Sequence, residues 1–115
     1  MRPAVVGLFD RVMADLGLEG WTLRWLEHDA YCWIDQKRID ICPMDTEEEC
    51  AQMLLHEVAH IHTSAGHRNK HHPLFFECLE GLVEKYLGTG LSRYQQELRD
   101  IYMGPVVKID GLGVQ

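Results

Sequence analysis

Two histidines with a glutamate beside the first stand in the run His56-Glu57-Val58-Ala59-His60. On an α-helix, residues four apart lie on one face, one turn above the other, so both imidazoles reach a single ion. Zinc accepts imidazole nitrogen at about 2.0–2.1 Å. Glu57 projects about 100° round the helix from His56. That places it beside the ion without making it a ligand. The chemistry of such a trio is hydrolysis. A metal-activated water attacks a carbonyl, and Glu57 is the general base.

A catalytic zinc centre of this kind has three protein ligands and one open position. Six of the seven histidines lie between His56 and His72, and only His28 is elsewhere. His62 is two residues from His60 and points away from the pair. The candidates are therefore His67, His71, His72 and an acid of the following segment, Glu77, Glu80 or Glu84. The extended pattern HExxHxxGxxH would need a glycine at position 63 and a histidine at 66. The chain has Thr63 and Gly66 instead. Spacing alone leaves the third ligand open.

The elements that position these residues follow from periodicity and turn chemistry. Residues 3–16 read as a helix, with Val5, Phe9, Val12, Met13 and Leu16 at helical spacing and Gly17 as its stop. Pro3 suits the first turn. Residues 21–27 alternate as a strand with Trp21, Leu23 and Trp25 on one face. Residues 31–35 and 38–42 read as a hairpin around Gln36-Lys37, with Cys32, Ile34, Ile39 and Ile41 on a common side. Pro43 ends that hairpin. Thr46 with Glu49 forms a capping-box pattern, and the three glutamates at 47–49 suit the positive end of a helix. That helix runs over residues 47–65 and buries Ala51, Leu54, Leu55, Val58 and Ile61. A polar loop at 66–72 leads to Pro73, which opens a helix to Leu87. Ser92 with Gln95 resembles a second capping box and starts a shorter helix to Tyr102.

The order helix, strands, capped helix with HExxH, loop, then His-x-x-x-Phe at the start of a helix resembles the SprT-like and WLM-type minimal zinc metallopeptidases. In those families the third ligand is a histidine in a His-Gly-x-x-Phe context. Here His72-Pro73-Leu74-Phe75-Phe76 matches it, with proline in place of glycine. The resemblance covers roughly residues 21–87. It implies that His72 completes the zinc site with His56 and His60, and that Phe76 anchors the next helix in the core. It also implies a peptide or protein substrate. The fold expected is α+β, a minimal zincin-like domain. An N-terminal helix and a small, mostly antiparallel three-stranded sheet pack on the HExxH helix, with one or two helices after it. The domain spans residues 1–103, and 104–115 is an extended tail that carries a short strand at 106–109.

Composition bounds the alternatives. A chain of 115 residues with 46% apolar content is one domain with one core. No apolar run approaches the ~18 residues of a membrane helix, and the N-terminus is a poor signal peptide, so we read the chain as cytoplasmic. The net charge of −7 argues against a general nucleic-acid surface and leaves a protein partner open. Cys32, Cys42, Cys50 and Cys78 show no paired zinc-knuckle spacing and read as reduced core residues; a Cys32–Cys42 disulfide or a metal role are the alternatives. Trp21 and Trp25 belong to the sheet core, whereas Trp33 on the opposite hairpin face is a candidate groove residue. The strand at 38–42 is the candidate to pair with an extended substrate. Tyr94 and Tyr102 are read as helix-packing residues before oxyanion donors. Arg68 and Lys70 are read as a solvated loop before an anion site. The rival to an enzyme is a non-catalytic zinc protein of the same fold, with His67 or His71 closing the fourth position.

Overall fold

Residues 50–59 are buried without interruption, and this run contains the His56-Glu57 pair. A helix buried on every side must be wrapped by other elements, and the chain supplies them in order. A computed structural model describes residues 3–63 and 70–104. Helix α1 (Pro3–Asp15) is followed by strands β1 (Thr22–Trp25), β2 (Tyr31–Trp33) and β3 (Arg38–Ile41). Helices α2 (Glu47–Thr63), α3 (Pro73–Leu87) and α4 (Arg93–Met103) complete an α+β fold.

The sheet order is β1-β3-β2. β3 pairs with β1 in parallel and with β2 antiparallel, so the sheet is mixed. Cys32 lies opposite Ile39, and Leu23 and Trp25 pair with Ile39 and Ile41. This is the face that covers α2, and Ile39 and Ile41 are fully buried there. The expected two-residue turn at Gln36-Lys37 is instead a longer connection. Gln36 N–H donates to Trp33 O and Lys37 N–H to Ile34 O, both at 3.2 Å. Neither residue of Gln36-Lys37 is a glycine or asparagine suited to a tight hairpin. Ile34 therefore leaves the strand for the exposed turn.

Thr46 caps α2, its Oγ1 accepting from Glu49 N–H at 3.1 Å. Val5, Phe9, Val12 and Met13 bury one stripe of α1 in the same core as Leu54, Leu55 and Val58. α3 adds Phe75, Phe76, Leu79, Leu82 and Val83. Gly88 ends α3 with φ 66°, a conformation that costs glycine nothing, and its N–H donates to Glu84 O.

α4 is attached differently. Only Gln95 of its residues is buried. Its start is tied to α2 through polar groups. Gln52 donates to Gly90 O at 3.1 Å and accepts from Ser92 N–H at 2.7 Å. Glu49 accepts from Tyr94 N–H. Residues 49, 52 and 56 lie along one stripe of α2, so the stripe that holds α4 ends at His56.

Residues 64–69, with His67, Arg68 and the expected end of α2, lie outside the described residues, as do 105–115 with the expected tail and its strand. Among the described residues no helix is long and apolar enough to cross a membrane.

Candidate metal centre

His56 and His60 project from one face of α2 with ring centroids 5.0 Å apart. Among the described residues, the one that joins them is His71, just before α3. Its ring lies 5.3 Å from that of His56 and 4.9 Å from that of His60. One ligand atom from each of the three lies within 4.8 Å of the others. The Nε2 atoms of His56 and His71 are 3.3 Å apart. Two tetrahedral Zn–N bonds of about 2.0–2.1 Å set their nitrogens about 3.3–3.4 Å apart. The pair therefore has the spacing a shared ion requires.

His72, which the resemblance placed here, is positioned elsewhere. It is the N-cap residue of α3, and its Nε2 lies 2.7 Å from Thr63 O. It ties the end of α2 to the start of α3, while its neighbour turns to the histidine pair. The physical reason is Pro73. It fixes the first turn of α3 and restricts His72 to the extended backbone it adopts, ψ 173°. Glu77, Glu80 and Glu84 do not enter the group.

Phe75 is the floor of the triangle. It is fully buried, and its ring lies 4.8, 4.4 and 5.1 Å from those of His56, His60 and His71. Phe76, for which the resemblance implies the anchoring role, is also in the core.

Burial dominates the electrostatics. It pulls His56 down to about 4 and His60 to about 3, and it lowers His71 as well. All three are neutral at pH 7 with lone pairs free of protons, the form that binds a metal. Glu57 moves the other way. Burial, helped by the charge of Asp40, pushes it up to about 8.

Two cavities meet at Glu57. A cleft of about 650 Å³ is lined by Tyr31, Cys32, His56, Glu57, His60 and His71 among others. A smaller one of about 320 Å³ shares His56, Glu57 and His71 and adds Met44, Met53, Tyr94 and Leu98. The edge strand beside the larger cleft is β2. β3 is paired on both sides and has no free edge, which removes it as a substrate strand. Trp33 is on the outer sheet face, donating to the buried Asp40 at 2.6 Å, and does not line the cleft. All four cysteines are free thiols.

The spacing from Ser92 makes Gln95 a capping-box residue. Its backbone N–H does donate to Ser92 Oγ. Its side chain, however, is fully buried with Oε1 2.8 Å from His56 Nδ1. A glutamine on a mostly polar helix carries no sequence signal for this.

No protein-family model matches the chain, and comparison with curated proteins and with solved structures gave no match.

Proposed function

We propose that the chain is a zinc-dependent peptidase, and that its resemblance to the SprT-like and WLM-type metallopeptidases reflects shared chemistry. The observation that carries this is a three-histidine triangle with a buried glutamate beside it at the junction of two cavities. Three imidazoles suit zinc among the common metals, and three protein ligands leave a fourth position for water or substrate.

Bound zinc supplies a Lewis acid that polarises a carbonyl and lowers the pKa of water. The chain's own residues do the rest. His56, His60 and His71 hold the ion through uncharged ring nitrogens. Glu57 takes the proton of the attacking water on its carboxylate and returns it to the departing amine. Its raised pKa reflects burial and the charge of Asp40, and a nearby cation would oppose both. β2, the edge strand of the described sheet beside the cleft, offers an extended peptide a strand to pair with. The same reading places the protein in the cytoplasm, where free thiols such as these persist.

Loading the purified chain with zinc and presenting a peptide library tests the proposal. Cleavage by wild type, with Glu57→Gln retaining zinc but cleaving nothing, is the expected result. A zinc-loaded wild type that cleaves no peptide overturns it.

A further inference from the structure

α4 reaches the three-histidine centre at two places. Gln95 Oε1 is 2.8 Å from His56 Nδ1. Two turns further on, the Tyr102 ring lies 4.6 Å from that of His71. These contacts come from one face of a helix and land on two different candidate ligands. Tyr94 and Leu98 of the same helix line the smaller cavity between them.

The chemistry of the first contact fixes a proton. A glutamine carbonyl oxygen accepts only, so His56 must donate from Nδ1. That tautomer leaves the lone pair on Nε2, the atom that faces His71. Gln95 is not placed there by its own hydrogen-bonding needs, because its buried Nε2 has no partner among the described residues. It is also the only buried residue of α4. The one buried side chain of the helix is thus the one that contacts a candidate ligand. The second contact works by packing. Tyr102 is half-exposed and sets its ring against that of His71.

We infer that Gln95 and Tyr102 are positioning residues of the metal centre, and that α4 docks more firmly when the ion is bound. This rests on the metal reading above. It adds that an element after the histidine cluster controls metal affinity without supplying a ligand. By linkage, whatever affinity α4 lends the ion, the ion returns as protection of α4.

The test uses the whole chain with Zn²⁺ and Co²⁺ alone. Chelator competition reads affinity, Co²⁺ absorption reads ligand geometry, and hydrogen exchange reads the backbone of α4. Gln95→Met keeps the side-chain bulk and removes the acceptor. It is expected to weaken Zn²⁺ by about 10–100-fold, the usual cost of removing an outer partner of a ligating histidine. It is also expected to shift the Co²⁺ bands, with Gln95→Glu restoring both. Tyr102→Ala is expected to weaken Zn²⁺ several-fold and Tyr102→Phe to keep it. Zn²⁺ is expected to slow exchange in residues 93–103 of wild type. A purely structural role would lower the melting temperature of Gln95→Met and leave Zn²⁺ affinity and the Co²⁺ bands at wild-type values. That result overturns the inference while the metal centre stands. A wild type that binds neither ion overturns the centre and this role together.

Discussion

His71 Nε2 faces His56 Nε2 across 3.3 Å, although fifteen residues separate them in sequence. Two neutral imidazoles at that distance share one proton donor at most, and both are buried enough to be held below their ordinary pKa. An ion between them turns two competing lone pairs into two ligand bonds. This is the relationship on which the functional reading turns.

Substitution of the two adjacent histidines separates their roles. His71→Ala is expected to lower zinc affinity by more than the ~100-fold that loss of an outer partner costs. His72→Ala is expected to keep zinc bound. It should instead lose about 1–3 kcal/mol of stability, because the contact to Thr63 O is broken. Zinc content after dialysis and denaturant midpoints distinguish the two.

Glu57 and the helix histidines give the metal-free protein opposite pH dependences. Glu57 is raised from 4.5 to about 8 by burial and then by Asp40, so the fold binds its proton more tightly than the unfolded chain does. Its contribution is intact below about pH 4.5 and is lost as pH rises through about 8. His56 and His60 are lowered from 6.5 to about 4 and about 3. Their contribution is complete above pH 6.5 and is lost as pH falls toward those values. Metal-free Glu57→Gln should therefore melt near wild type at pH 5 and about 5 °C or more above it at pH 9. Equal melting temperatures at both pH values would contradict a carboxylate whose pKa is raised by burial.

Asp40 organises the outer face of the sheet. It is fully buried and accepts from Arg24 at 2.9 and 3.1 Å, from Arg38 at 3.0 Å and from Trp33. Burial alone would raise its carboxyl. The hydrogen bonds from Arg24, Trp33 and Arg38, with the Arg24 charge, outweigh burial and hold it below its ordinary value. A lowered pKa gives stability that is present above the ordinary carboxylate range and is lost as pH falls below it. Asp40→Asn is expected to cost about 1–3 kcal/mol at pH 7, since the half-exposed Arg24 regains water. The variant should also lose less further stability between pH 4 and pH 2 than wild type, read by acid titration of circular dichroism.

Phe75 links the core to the centre. Phe75→Ala is expected to cost about 3–5 kcal/mol from lost burial and a residual cavity. It also removes the surface against which all three imidazoles pack. Thermal melts with and without zinc check this. Wild type gains about 2.7 kcal/mol at zinc 100-fold over its dissociation constant, and the variant gains less at the same concentration.

Local signals carried much of this architecture. Thr46, Gly88, Pro73 and Ser92 mark helix ends by their own backbone chemistry, and α1, α2 and α3 follow from helical periodicity. His56 and His60 needed only a helix to meet. The third member of the triangle did not follow in the same way. His71 and His72 are adjacent in a polar loop, and which one turns inward depends on how Pro73 starts α3 and on where Thr63 O lies. Sheet order was equally non-local. A strand pattern at 38–41 does not say that β1 will pair on its other side and occupy its edge. Gln95 reaches His56 only because Gln52 and Glu49 set the start of α4.

Anomalous diffraction at the zinc edge, from crystals of the zinc-loaded chain, tests the centre most directly. The expected result is one peak about 2.0–2.1 Å from a ring nitrogen of each of His56, His60 and His71, with Glu57 beside it and unligated. A peak on His72 in place of His71, or no peak between the α2 histidines, would contradict it.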